Sequence, residues 1–196
     1  WLRNLIDAGL IPPGDVDERD VREVAADDLR GYGQIHLFAG IGGFGYAARL
    51  AGLPDDFPIL TGGFPCQPFS CAGERRGISD DRHLWPEMHR LVAALRPRWV
   101  LGENVSGLVG MALDGVLSDL EGEGYACWPA LVPACAVDAP HRRDRLWIVA
   151  HGDGTGSHAG AHAGVRGGQE SAGPRDRAVE HAAQQRRREG RAEPSV

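Results

Sequence analysis

The chain alternates between short apolar runs and longer stretches with helical spacing. From residue 34 onward, apolar runs predict strands at 34–39, 57–61, 98–101, 125–132 and 145–149. Between them, apolar side chains recur every three or four positions and predict helices at 44–50, 84–95 and 113–122. Strands that alternate with helices are typical of an α/β domain with a doubly wound, Rossmann-like sheet in three layers. We therefore expect one domain over residues 1–150.

The two ends of the chain have other patterns. Residues 1–33 predict a short helix, a turn at Pro12-Pro13-Gly14 and an acidic connecting segment in solvent. Residues 151–196 are rich in Gly, Ala, Arg and Glu, and their only large aliphatic residues are Val165, Val179 and Val196. Such a segment buries too little apolar surface to offset its chain entropy, so we expect a disordered low-complexity tail.

Composition narrows the classes of function. A net charge of -6 over 196 residues argues against a nucleic-acid binder that relies on charge alone. All 21 basic residues are arginine, which excludes a Schiff-base or P-loop lysine. No apolar run reaches the ~20 residues of a membrane span, and no secretory signal is visible. The four cysteines form no Cys-x-x-Cys pair, so we expect reduced thiols, a cytoplasmic location and no metal site.

A glycine-rich turn follows the first predicted strand. Glycines at a strand end let the backbone approach a nucleotide-like ligand and turn sharply into a helix. The spacing G-x-G-G lacks the later glycine of the dinucleotide fingerprint, so it suits an adenosine with a small charged tail. The residues of this turn that we predict to bind the cofactor are Phe38, Ala39, Gly40, Ile41, Gly42 and Gly43.

A cysteine flanked by prolines follows the second predicted strand. Cys66 stands in the sequence Gly-Phe-Pro-Cys-Gln-Pro-Phe-Ser, where Pro65 and Pro68 stiffen the loop. In a parallel sheet, ligands bind at the carboxyl ends of the strands. A buried structural cysteine is the alternative, but the polar and rigid surroundings favour a nucleophile.

Two further charged segments are expected at strand ends. Glu103 follows the third strand in the segment Glu-Asn-Val, and a partly buried carboxyl group there can hold a proton near neutral pH. Arg143 and Arg145 precede the last strand; on an extended chain they point to the same face and suit a phosphate or carboxylate. Taken alone, Glu103 is as consistent with a helix cap or a surface residue as with a site residue. The two arginines are as consistent with a surface charge cluster as with a ligand site.

Together, the four segments resemble the DNA cytosine-5 methyltransferases. The order matches: Phe-Ala-Gly-Ile-Gly-Gly, then Pro-Cys-Gln, then Glu-Asn-Val, then a segment like Gln-x-Arg-x-Arg in which His141 replaces the glutamine. The likeness covers roughly residues 15–150. It implies the methyltransferase variant of the doubly wound sheet, here incomplete, with S-adenosylmethionine as cofactor and Pro65 and Leu84 beside it.

The resemblance also implies a mechanism. Cys66 would add to carbon 6 of a cytosine flipped out of double-stranded DNA, and Glu103 would hold or donate a proton at ring nitrogen 3. Arg143 and Arg145 would help to hold the base and the backbone. The enzyme would be a DNA (cytosine-5-)-methyltransferase that acts as a monomer, either with a restriction enzyme or in protecting a phage genome.

The sequence departs from the family in its arrangement. Only about 20 residues separate the glycine turn from Cys66, which leaves no room for the usual contacts to ribose and adenine. The resemblance is to a phage or prophage subgroup in which that βα unit precedes the glycine turn. Residues 1–33 would then be a permuted cofactor-site segment, with Asp20 and Val21 as the adenine-contacting turn and the ribose acid before Trp1.

Two alternatives remain open at this point. A target-recognition domain and the C-terminal Gly-Asn motif are not recognisable, and no initiator Met is present, which fits an inactive, truncated fragment that binds cofactor or DNA. A tRNA cytosine-5 methyltransferase would share the catalytic logic. Ser70 after Pro-Cys-Gln-Pro-Phe favours the DNA-directed group.

Overall fold

A computed structural model describes residues 1–65 and 83–153. It contains a five-stranded mixed sheet with helices, which confirms the predicted α/β class. The strands are β1 (Gln34–Leu37), β2 (Ile59–Gly62), β3 (Trp99–Val105), β4 (Ala126–Pro133) and β5 (Asp144–His151). The helices are α1 (Leu2–Asp7), α2 (Gly43–Leu50), α3 (Trp85–Leu95) and α4 (Leu113–Gly122).

The sheet has the strand order β1-β2-β3-β5-β4. The first three strands pair in parallel, while β5 runs antiparallel to both β3 and β4. Strand β5 makes the sheet mixed, because the connection from β4 to β5 is short and contains only a 3-10 helix, Ala134–Val137. A parallel pair needs a long crossover, whereas a short connection returns the chain antiparallel.

The core lies mainly on the face of the sheet that α3 and α4 cover. Helix α3 has a proline in its first turn, and it ends at Arg96, which adopts a left-handed conformation just before Pro97. The largest fully buried side chains from strands and helices meet on this face; they include Leu60, Val100, Leu146, Ile148, Met88, Leu91, Val92, Val116 and Leu120.

Several element boundaries differ from the sequence-based prediction. The first strand ends at Leu37, not at residue 39, because Phe38 has a φ of 54° and leaves the extended conformation. The third strand is longer than predicted and runs to Val105, so Glu103 lies within the strand. The predicted tail begins at 151, but β5 includes His151; residues 154–196 lie outside the described part.

Residues 1–33 are more closely packed than the predicted connecting segment. After α1, the chain forms two 3-10 helices, Val21–Glu23 and Ala26–Leu29, and apolar side chains from both pack against the core. The expectation of a segment in solvent is therefore wrong for this part of the chain. Although its composition is acidic, Val21, Ala26 and Leu29 pack against the core.

The remaining expectations concern membranes, metals and thiols. No helix in the described ranges is long and apolar enough to cross a membrane. Within residues 1–65 and 83–153, no group of His, Cys, Asp or Glu side chains could hold a metal ion. Cys127 and Cys135 are free thiols.

Candidate active site at the carboxyl edge of the sheet

The glycine turn joins β1 to α2 at the carboxyl edge of the sheet. Gly40 and Gly42 have φ angles of 53° and 86°, which residues with a Cβ rarely adopt. A Cβ on Gly42 would lie 2.9 Å from Leu2 and 3.2 Å from Leu5, so α1 closes one side of the turn. A Cβ on Gly43 would meet no atom of residues 1–65 or 83–153 within 4 Å, so these residues leave the other side open.

Helix α1 begins beside this turn. The Trp1 indole Nε1 donates a hydrogen bond to the carbonyl of Ile41 at 3.1 Å. The Ile41 side chain itself is 79% exposed, which gives it no packing role in the described residues. The turn is therefore held from the side of residues 1–33, and the described part of the chain leaves its Gly43 side uncovered.

The second strand carries the chain toward Cys66. A Cβ on Gly62 would lie 3.5 Å from the Phe38 ring, so the glycine turn and the end of β2 are neighbours. A Cβ on Gly63 would lie 3.1 Å from Oε2 of Glu103. Cys66 lies outside the described residues, which end before it at Pro65.

Glu103 forms an ion pair with Arg145 across neighbouring strands. Oε1 of Glu103 lies 2.8 Å from Nε of Arg145, and both side chains are about one quarter exposed. The pair forms because β3 and β5 are antiparallel and bring these two side chains to the same face of the sheet. Oε2 of the same carboxylate faces Gly63, so Glu103 lies between the arginine and the start of the cysteine segment.

Arg143 does not share this arrangement. It precedes β5, is exposed and has a φ of 31°, so it is not part of an extended chain. The alternation that predicted one common face for Arg143 and Arg145 therefore does not apply. Of these two arginines, Arg145 is the one that reaches the Glu103 carboxylate.

Asp20 lies in a turn that is fastened to α3. Its carboxylate accepts a hydrogen bond from the amide of Arg22 at 2.9 Å and begins the 3-10 helix that follows. Arg90 of α3 donates to the carbonyl of Val21 at 2.8 Å. The structure thus brings the Asp20–Val21 turn to the helix that begins directly after Leu84.

Asn104 is a functional candidate that the sequence analysis leaves without a role. It is only 3% exposed, and its side-chain amide Nδ2 donates to the carbonyl of Phe64 at 3.0 Å. Its position was assigned to a loop beyond the third strand. The signal was the alternation along β3: Val100, Gly102 and Asn104 share the covered face, so the asparagine is a polar residue at a buried position.

Comparisons with known proteins identify the family of the chain. The family described as C-5 cytosine-specific DNA methylase matches residues 48–171, which is more than half of the chain. The chain belongs to this family. C-5 DNA methyltransferases use S-adenosylmethionine, and the domain is a cytosine-5 methylase domain.

Individual relatives are Type II methyltransferases. The chain is 32% identical over 171 residues to M.PspPI of a Psychrobacter strain, covering 65% of this chain and 41% of that protein. It is 39% identical over 99 residues to M.BanI of Aneurinibacillus aneurinilyticus, covering 48% of this chain and 23% of that protein. The methylase domain thus spans well under half the length of these curated relatives.

Solved structures with a similar chain path include methyltransferases of eukaryotes. The S. pombe Dnmt2 methyltransferase is 19% identical, with a TM-score of 0.47, over 72% of this chain and 38% of that chain. The Entamoeba histolytica methyltransferase EhMeth is 14% identical, with a TM-score of 0.47, over 70% of this chain and 38% of that chain.

Proposed function

We propose that this methylase domain transfers a methyl group from S-adenosylmethionine to carbon 5 of cytosine in DNA. The observation that carries the proposal is the position of Glu103. Its carboxylate is held by Arg145 at 2.8 Å and faces Gly63, where the chain leaves β2 and leads to Cys66. A carboxyl group beside the segment of a nucleophile is the arrangement that cytosine chemistry requires.

The proposed chemistry assigns a separate task to each side chain. The Cys66 thiolate adds to carbon 6 of a cytosine flipped out of duplex DNA, and this makes carbon 5 electron-rich enough to take the methyl group. A proton at ring nitrogen 3, held by Glu103, offsets the negative charge that develops on the ring. A base then removes the proton from carbon 5, and the Cys66 thiolate is eliminated, which restores the carbon 5–carbon 6 double bond. Ring nitrogen 3 returns its proton to Glu103.

Arg145 and Arg143 have different tasks in this proposal. Arg145 fixes the orientation of the Glu103 carboxylate through Nε, and its Nη1 donates to the carbonyl of Asp144 at 2.9 Å. The other guanidinium N–H groups are assigned to the base. Arg143 is exposed outside the strand, where it suits the DNA backbone. Because the chain has a net charge of -6, its attraction to phosphates depends on local positive groups of this kind.

The residues of the glycine turn fit S-adenosylmethionine. The open side of the turn at Gly43 and the first amides of α2 suit the carboxylate of an amino-acid group. Phe38, Ala39, Gly40, Ile41 and Gly42 would form the rest of the cradle. Pro65, beyond the end of β2, and Leu84, directly before α3, would lie beside the cofactor. When bound, the cofactor supplies a methyl group on a positively charged sulfur.

Residues 1–33 are proposed as the permuted part of the cofactor site. The contact of α1 with Gly42 and the hydrogen bond from Arg90 to Val21 support this proposal. Asp20 would contact the adenine from the turn beside α3. This arrangement supports placing the domain in a phage or prophage-like subgroup.

A cysteine substitution tests the proposed function. Purified protein and its Cys66→Ser variant are incubated with labelled S-adenosylmethionine and either duplex DNA or tRNA. We expect methylation of DNA by the parent, a loss of at least about a thousandfold in the variant, and unchanged cofactor binding. Equal methylation by the variant would show the mechanism to be wrong, and label in tRNA alone would favour the RNA substrate.

The short span relative to the relatives keeps an inactive cofactor- or DNA-binding fragment as the second candidate. Calorimetry with S-adenosylmethionine separates the two. Binding without methyl transfer, at a DNA concentration that saturates the domain, would indicate a binding module. Bisulfite sequencing of DNA from cells that express the gene would report the target sequence.

A further inference from the structure

We propose that Asn104 is a positioning residue that fixes the start of the Cys66 segment. The proposal rests on the proposed function, since it concerns the delivery of the nucleophile. It assigns separate tasks to two consecutive residues of β3. Glu103 faces Arg145 and the substrate side, whereas Asn104 faces the opposite side of the sheet and contacts the backbone that precedes the cysteine.

The hydrogen bonds of Asn104 make it a fixed point. Its Oδ1 accepts from the amide of Val105 at 2.8 Å, which sets the rotation of the side-chain amide. Its Nδ2 then donates to the carbonyl of Phe64 at 3.0 Å. Because Asn104 is 3% exposed, water cannot replace these partners, and their loss leaves polar groups unsatisfied in the interior.

The segment that Asn104 holds is anchored at further points. The Phe64 ring is 2% exposed; it lies 3.5 Å from the Cβ position of Gly102 and packs on Trp85 with ring centroids 5.1 Å apart. The carbonyl of Pro65 accepts a hydrogen bond from the amide of Leu84 at 3.2 Å. Phe64 and Pro65 are therefore held by β3 and by the start of α3.

This anchor matters because it ends where the nucleophile begins. Pro65 is bonded directly to Cys66, and its ring restricts the backbone at that junction. An attacking atom must be aligned within a fraction of an ångström for efficient reaction. A side chain that fixes the Phe64 carbonyl thus acts on the reaction without touching the substrate.

The test replaces the donor and keeps the shape. Asn104→Asp retains an oxygen for the Val105 amide but presents an acceptor to the Phe64 carbonyl, so the two groups repel each other. Asn104→Ala removes the hydrogen bonds to Phe64 and Val105 and serves if the first variant does not fold. Tyr125→Phe is the matched control, since it removes a buried hydrogen bond to the backbone, from the Tyr125 hydroxyl to the Pro97 carbonyl at 2.6 Å, at the far edge of the sheet.

Single-turnover methylation separates positioning from folding. The amplitude counts competent molecules, while the rate constant reports the alignment of the nucleophile. We expect Asn104→Asp to lower the rate constant about 10- to 100-fold with nearly full amplitude and with cofactor affinity within threefold of the parent. Tyr125→Phe is expected to lower thermal stability and to keep the parental rate constant.

Amide hydrogen exchange gives a readout that needs no activity. Release of the Phe64 carbonyl is expected to speed exchange at the Leu84 amide in Asn104→Asp, but not in Tyr125→Phe. A parental rate constant with slow Leu84 exchange would overturn the positioning role and leave the proposed function standing. A reduced amplitude with a parental rate constant would show a merely structural residue. A parent that binds cofactor and methylates nothing would overturn both proposals.

Discussion

The amino and carboxyl ends of the parallel strands, here called the amino edge and the carboxyl edge, carry similar charged pairs that have different surroundings. At the amino edge, Arg96 contacts Glu123 at 2.6 Å; at the carboxyl edge, Arg145 contacts Glu103 at 2.8 Å. Both carboxylates are 27% exposed. Burial and ion pairing therefore do not distinguish the pair that we assign to catalysis from the pair that we assign to stability.

The difference lies in what else each pair contacts. Arg96 also donates to the backbone carbonyl of Glu123, which ties the end of α3 to the end of α4. In the carboxyl-edge pair, Glu103 faces Gly63 at the start of the cysteine segment, with Oε2 3.1 Å from where a Cβ on that glycine would lie. Arg145 also donates to a backbone carbonyl, but that carbonyl belongs to the residue directly before it, at 2.9 Å, so this bond joins no second element. The Arg96 pair therefore closes the fold, whereas the Glu103 pair lies beside the cysteine segment.

The largest expected effect comes from replacing the two carboxylates. Glu103→Gln keeps the shape and removes the group that holds the proton, so we expect kcat to fall about 100- to 10,000-fold. Glu123→Gln is expected to leave kcat within threefold and to lower the free energy of unfolding by about 1 kcal/mol. Methylation kinetics and urea unfolding of both variants check this, and equal losses of activity would remove the distinction between the edges.

A smaller effect is expected from alanine at one glycine of each edge. In Gly63→Ala, the new methyl group lies 3.1 Å from Glu103 Oε2 and displaces a flexible carboxylate. We expect kcat to fall up to about tenfold with little change in stability. In Gly33→Ala, the methyl group would lie 2.5 Å from backbone atoms of Asp56, which cannot yield easily.

For Gly33→Ala we expect a loss of about 1–3 kcal/mol in the free energy of unfolding, because overpacking against backbone forces the strand start to shift. The parental kcat should be retained by the folded molecules. Thermal denaturation with active-site titration measures both quantities. If Gly63→Ala proved the less stable of the two, the glycine would be structural and the space beside Glu103 would have no functional meaning.

The strands and helices were predictable because their apolar periodicity is local. The helix at 113–122 was predicted with its observed bounds, since Leu113, Val116 and Leu120 mark one face and a glycine ends it. The direction of β5 was not predictable from that pattern. Strand direction depends on the length of the connection and on its partners, which periodicity along one segment does not record.

The site was predictable in residue type and less so in arrangement. The sequence alone identifies the glycine turn, the cysteine and the Glu-Asn-Val segment. It does not show that Glu103 pairs with Arg145 rather than Arg143, because that depends on the positive φ of Arg143. The sequence does not reveal the role of Asn104, because the predicted third strand ends at residue 101 and leaves Asn104 outside it. Once β3 extends to Val105, alternation places Asn104 on the covered face, where an asparagine needs partners.

The smallest expected effect is a difference in pH dependence between the two edges. Burial lowers the pKa of His36, which contacts Thr61 beside the glycine turn, and burial raises the pKa of Tyr125 to about 12 at the amino edge. Below about pH 6.5 the unfolded chain binds a proton that folded His36 resists, so stability falls on acidification until the folded pKa is reached.

Above about pH 10 the unfolded chain loses a proton that folded Tyr125 keeps, so stability falls as the pH rises toward 12. Each contribution is at most about 1.4 kcal/mol per pH unit. His36→Gln should flatten the acid limb of a urea-unfolding series and leave the alkaline limb, and Tyr125→Phe should do the reverse. A variant that altered both limbs equally would mean that the two edges titrate as one unit, and the division between them would then be only a division of contacts.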